Sequence, residues 1–181
     1  IQTRLYNGNS LVHNESSSST TVTRDAWNHI AVTRNSSNRV DYWLNGTSIK
    51  NFTSTATWNV NGAEILIGRG HKHSGGVDTS AYGYMEEINF IDGQALGPEY
   101  FGKTDTATGA WIPKEFDGTS STGGANANGA NPSNAAGYDT LYGINGFHLD
   151  FRASSLVYSG STLSTVNDVS GRTTPNNWTA N

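Results

Sequence analysis

The chain has 181 residues, enough for one β-sandwich of ordinary size or for parts of two. Only 14% of its residues are charged and 34% are apolar, with 21 glycines, a profile of short strands and polar turns rather than of helices. A net charge of −4 offers no broad positive field for nucleic acid, zero cysteines exclude disulfides and thiolate metal sites, and no run approaches the ~20 apolar residues that span a bilayer.

Strand signals follow one another closely along the chain. Residues 3–6 and 10–13 flank Asn7-Gly8-Asn9, which predicts a hairpin because Asn and Gly tolerate positive φ. A Thr-rich strand is predicted over 19–23. From Trp27 to Arg34, Trp27, His29, Ala31 and Thr33 fall on one face and Ile30 and Val32 on the other. Next, Val40, Tyr42 and Leu44 alternate with Asp41 and Trp43, and Asn45-Gly46 predicts a tight hairpin turn. Two further strands are expected over 64–68 and 84–91. Between them lies a polar loop, Arg69 to Tyr82, with His71, Lys72, His73 and Asp78.

Later in the chain, Pro98 to Phe101 predicts a single helical turn. Residues 117–138 are nearly all Gly, Ala, Asn, Ser and Thr and cannot bury enough apolar surface to offset their ordering entropy, which predicts a linker or long excursion. Phe147 to Phe151 then alternates as a strand. The expected core is Trp27, Ile30, Val32, Tyr42, Leu44, Ile65, Ile67, Ile88 and Phe90.

The string W-N-H-I-A-V-T-R, a short turn, then V-D-Y-W-L-N-G (Trp27 to Gly46) resembles the paired central strands of laminin G-like domains of the concanavalin A type. The continuation I-L-I-G-R-G (65–70) and G-Y-M-E-E-I-N-F-I-D-G-Q-A-L (83–96) resembles the closing strands of the same family, so the likeness covers roughly residues 1–101. It implies an all-β fold, an antiparallel sandwich of the jelly-roll type. That family has several strands ahead of the Trp-x-His strand, and few residues precede Trp27 here. The expected division is therefore 1–108 as the C-terminal part of one sandwich, 109–140 as linker, and 141–181 as the opening of a second sandwich or the completing strands of the first. Leu149-Asp150-Phe151, Tyr158-Ser159-Gly160-Ser161 and Asp168-Val169-Ser170-Gly171 to Trp178 resemble such an opening.

The stretch F-I-D-G-Q-A-L, F-G-K-T-D-T-A-T-G-A-W-I-P-K and Y-G-I-N-G-F-H-L-D-F resembles tail-fibre and structural proteins of bacteriophages. The resemblance implies a structural and host-recognition segment on a virion, with host-surface glycan, other virion subunits and further copies of the chain as partners. A decoration protein without sugar binding and a secreted bacterial carbohydrate-binding or adhesive module are the other readings.

For sugar contact the candidates are Trp43 and Tyr82, whose aromatic faces can stack on a pyranose, together with His71 and His73. His71 and His73 with Asp78 could also hold a metal through imidazole and carboxylate. No cofactor is required by any motif; the resemblance allows calcium, for which Asp78 and Asp92 are the oxygen ligands to consider. Glu86 and Glu87 occupy the strand where a glucanase carries its acids. The family's catalytic strand resembles Glu-x-Asp-x-Glu, however, and this one reads Glu86-Glu87-Ile88-Asn89-Phe90. No catalytic residue is expected, and the chain is expected not to be an enzyme.

Overall fold

The computed structural model describes residues 2–7, 10–16, 22–55, 67, 69–70, 79–80, 82–116, 142–143, 145–171 and 175–179. Fourteen strands and two short 3₁₀ turns make up their regular structure. In chain order the strands are β1 (Gln2–Asn7), β2 (Ser10–Ser16), β3 (Ile30–Arg34), β4 (Arg39–Leu44), β5 (Thr47–Thr53), β6 (Arg69–Gly70) and β7 (Thr79–Ser80). They continue with β8 (Ile88–Phe90), β9 (Gly102–Thr104), β10 (Trp111–Pro113), β11 (Phe147–Leu149), β12 (Leu156–Ser159), β13 (Thr162–Val166) and β14 (Trp178–Thr179). Every strand pairing among the described residues is antiparallel. The all-β class expected from the sequence is the observed one.

The chain forms two compact units, the first from Ile1–Gly83 with Gly102–Pro113, the second from Tyr84–Phe101 with Lys114–Asn181. In the first unit the centre is the three-stranded sheet β3-β4-β5. Its core face follows from simple alternation: Val40 and Tyr42 have 0% exposure and Leu44 9%, while the intervening residues are less covered. Tyr42 meets the edge of the Phe52 ring with centroids 5.4 Å apart.

The β4–β5 turn is where local chemistry decides geometry. Asn45 and Gly46 have φ of 48° and 76°, the paired left-handed conformations that match the twist of a hairpin. Asn45 Oδ1 accepts a hydrogen bond from the His29 backbone N–H at 2.8 Å, and the Asn45 N–H donates to the His29 carbonyl at 2.9 Å. The Trp111 indole lies against this turn, and a Cβ at Gly46 would clash with its six-membered ring. Gly46 is thus required twice, by its φ and by the close approach.

In the second unit Leu96, Tyr100, Phe116 and Tyr142 form a buried cluster, with Ile91 and Phe101 packed against it. Phe116 meets Tyr142 edge-on at 5.2 Å and Phe101 at 4.9 Å. Strand β8 pairs with β11 in the register Phe90↔Phe147, Asn89↔His148 and Ile88↔Leu149. Strands β12, β13 and β14 form a second small sheet, β12 and β13 being joined at Gly160, whose φ is 64°. The turn expected at Pro98 is the 3₁₀ turn Pro98–Tyr100.

Several expected core residues are not core. Trp27 is 69% exposed, Ile30 50%, Val32 39% and Phe90 37%. The reason is position. Among the described residues strand β3 pairs only with β4, so Ile30 and Val32 share the face of Leu44 and Tyr42 but have no described strand on their other side. Trp27 precedes the strand altogether, since pairing begins at Ile30. Ile67 and Ile88 are half-buried; Ile65 lies outside the described residues. The strand expected over 84–91 begins at Ile88, because Glu87 has φ of 56° and interrupts the extended backbone. Residues 64–66 and 68, residues 19–21, Gly8-Asn9 and the 117–138 linker also lie outside the described residues, while Val22, Thr23 and Ile67, which are described, are not in strands. Trp27→Ala is expected to change unfolding free energy by no more than about 1 kcal/mol, as for surface substitutions generally. Chemical denaturation checks this, and a loss above about 3 kcal/mol would mean the indole is covered.

Candidate functional site

The second face of the β3-β4-β5 sheet is polar with one tryptophan at its centre. Register places Ala31, Trp43 and Ser48 in one row across the three strands, and Thr33, Asp41 and Asn51 in the next. Arg39 and Thr53 form a third row. Rows two residues apart on a strand are about 7 Å apart. Small residues, Ala31 and Ser48, flank Trp43 on both sides, and the neighbouring row supplies hydroxyl, carboxylate and amide groups. A β-bulge at Ile49 on β5 lies opposite Trp43, where the pairing shifts between Tyr42↔Lys50 and Trp43↔Ser48. The ring is half-buried, and its Nε1–H donates a long hydrogen bond of 3.5 Å to Thr33 Oγ1.

Arg39 and Asp41 are tied together on this face. Arg39 Nε donates to Asp41 Oδ1 at 3.1 Å and to Oδ2 at 3.0 Å, and Nη2 donates to Oδ1 at 2.8 Å. The arginine side chain is 52% exposed and the aspartate 14%. Those hydrogen bonds and the Asp41 charge push the guanidinium pKa further up. Arg39 is also held at its backbone, whose N–H donates to Asn35 Oδ1 at 3.0 Å. Below the sheet end, His29 and Trp111 are in ring contact at 5.8 Å, and burial pulls the His29 pKa down, keeping that imidazole neutral.

The second unit carries a different polar cluster. His148 Nε2 lies 2.7 Å from Glu87 Oε2, and Arg152 Nη2 lies 3.7 Å from Glu87 Oε1. The His148 ring stacks on Tyr142 at 6.1 Å, and Tyr142 Oη donates to Asn89 Oδ1 at 2.9 Å. Asp150 accepts from Ser155 Oγ at 2.5 Å and from the Arg152 N–H at 3.1 Å. Each carboxylate here has its donors already. Glu86 is exposed and Glu87 is engaged by His148.

Of the residues singled out from the sequence, Trp43 lies at the centre of the polar face and Tyr82 is fully exposed at 102%. His71, His73 and Asp78 lie outside the described residues. Asp92 spends its Oδ2 on Asn145, accepting from the backbone N–H at 3.2 Å and from Nδ2 at 2.8 Å. It acts as a latch on the loop before β11, and among the described residues no three His, Asp or Glu side chains converge as metal ligands. Sequence reasoning passed over Arg39, Asp41 and Asn51. Their signal was available: positions 39, 41 and 43 alternate on one strand, so whatever face Trp43 takes, Arg39 and Asp41 share it.

Comparison with known proteins places the first part of the chain. No curated protein and no solved structure matches it. A family model described as the concanavalin A-like lectin/glucanases superfamily matches residues 1–100, a stretch that contains the whole β3-β4-β5 sheet and its Trp43 face. With more than half of its length matched and that stretch folded as paired antiparallel strands, the chain belongs to the concanavalin A-like lectin/glucanase superfamily.

Proposed function

We propose that the chain is a carbohydrate-binding, adhesive β-sandwich segment of a bacteriophage virion appendage of the tail-fibre kind. Membership in a superfamily of lectins and glucanases supports carbohydrate as the ligand class. The observation that carries the reading is the Trp43 face, where an indole with small neighbours stands beside a row of hydrogen-bonding side chains. A stacked pyranose buries its apolar face on the ring and reaches Thr33 and Asn51 with its hydroxyls. The virion setting is supported by the resemblance of residues 90–96, 101–114 and 142–151 to tail-fibre proteins. Its partners are then a host-surface glycan, other virion subunits and further copies of the chain, whose repeated weak sites gain by multivalency.

Binding without turnover fits the carboxylates best. Retaining hydrolysis needs two carboxyl groups about 5–5.5 Å apart on the sugar. Glu86 points to solvent, while Glu87 is held by His148 and Asp150 by Ser155. Glycan-array binding by the purified chain tests the ligand class. Trp43→Ala is expected to weaken the strongest signal by about tenfold or more, as loss of an aromatic anchor does. Undiminished binding by the variant would remove the face from consideration. Mass spectrometry of purified particles tests the setting, and absence of the chain from them would favour a secreted module.

A further inference from the structure

The Arg39–Asp41 pair is arranged with its cation outward. Asp41 is 14% exposed, and both its oxygens are taken by Arg39. Arg39 is 52% exposed, and its contacts with Asp41 use Nε and Nη2, which leaves the Nη1 edge of the guanidinium facing away from that carboxylate. A ligand approaching this row therefore meets guanidinium N–H donors before it meets carboxylate oxygens. Because Nε and Nη2 grip Asp41 together, the planar group is held in orientation before any ligand arrives. Asp41 stands in the row next to Trp43, and Arg39 in the row beyond, about 13 Å from Trp43 along the same strand and on the same face. The guanidinium reaches back to the Asp41 carboxylate, which brings it within range of a sugar ring linked to the one stacked over the indole.

We propose that Arg39, aligned by Asp41, selects sugars bearing an anionic group on the Trp43 face. Trp43 takes the ring and Arg39 takes a carboxylate or sulfate carried by the neighbouring ring. Guanidinium suits both anions, since its parallel N–H bonds match their oxygen geometry. The inference rests on the reading of this face as a carbohydrate surface and adds the charge class of the ligand. It also assigns Asp41 as a positioning residue, acting on the ligand only through Arg39.

The test is calorimetric titration of the full chain with oligogalacturonate and oligomannuronate, the methyl esters of both, and a sulfated galactan oligosaccharide. Esterification removes the charge and leaves the ring, so the acid is expected to bind about tenfold more tightly than its ester, the worth of one hydrogen bond to a charged group. Arg39→Gln should erase that difference between acid and ester. Arg39→Lys keeps the charge but loses the fork, and should lose most of the preference as well. Trp43→Ala should weaken acid and ester alike. Binding by the sulfated probe, by the uronates or by both supports the inference and identifies which anion is preferred. Equal affinity for acid and ester, a preference that survives Arg39→Gln, or binding by none of the charged probes overturns it. Neutral glycans that still bind and are lost in Trp43→Ala would then leave the carbohydrate reading standing, whereas absence of any Trp43-dependent binding would remove both.

Discussion

Tyr42→Ala is expected to be among the most destabilising single changes in the first unit, costing about 3–5 kcal/mol, the range for emptying a buried aromatic site. Tyr42 has 0% exposure, lies on the central strand of β3-β4-β5 and meets the Phe52 ring at 5.4 Å. Val40 and Leu44 flank it on the same face, also buried, so the vacated volume is walled by residues that cannot close over it without moving the sheet. Denaturant unfolding followed by tryptophan fluorescence measures the cost. A loss under about 1 kcal/mol would mean that this face is not the core of the unit. Trp27→Ala is the matched control, since the two aromatic residues differ chiefly in cover.

Asp168→Ala is expected to destabilise the second unit by about 2–4 kcal/mol, because one side chain satisfies several backbone donors that would otherwise be left partly buried and unmade. Its Oδ1 accepts from the N–H groups of His148 and Ser170, each at 2.9 Å, and its Oδ2 from the N–H of Asn176 at 2.9 Å. The aspartate thereby ties strand β11 to the segment leading into β14. Asn177 reinforces the tie by accepting from the Asp168 N–H at 2.9 Å, and Asn176 Nδ2 donates to the Gly146 carbonyl at 3.0 Å. Hydrogen exchange should show faster exchange at His148, Ser170 and Asn176 in the variant. Unchanged protection there would contradict the assignment.

The same carboxylate gives the pH dependence its sign. Burial disfavours the charged form of Asp168, but the N–H donors of His148, Asn176 and Ser170 outweigh it and bring its pKa below the ordinary value. Asp150 is lowered in the same way, with Ser155 and Arg152 overcoming burial. With the folded pKa depressed, the unfolded chain takes up protons first. The stabilisation is complete above the ordinary carboxylate value of about 3.9 and is lost as pH falls through the folded values. His29 adds an earlier limb. Burial lowers its pKa, so its contribution is complete above about 6.5 and declines as pH drops below that point. In Asp168→Ala the acid limb should flatten while the His29 limb remains.

What could be read from the sequence was whatever neighbouring residues decide among themselves. Asn45-Gly46 adopts its turn because those two residues tolerate positive φ, and Val40, Tyr42 and Leu44 share a face because a strand has period two. Trp43 was legible as a candidate for the same reason, as the apolar member of the opposite set. Cover is different, because it depends on what lies beyond the strand. Ile30 and Val32 carry the same alternation as Tyr42 and Leu44, yet they are half exposed, since β3 stands at the margin of its sheet among the described residues. No local pattern distinguishes an edge from a centre. The pairing of β8 with β11, the Asp168 hub and the approach of His148 to Glu87 each join residues far apart in the chain, and only tertiary structure brings them together. The direction of Arg39 belongs with these, for alternation assigns the face of a side chain, while only the folded contact with Asp41 decides which edge of the guanidinium is left facing away from that carboxylate.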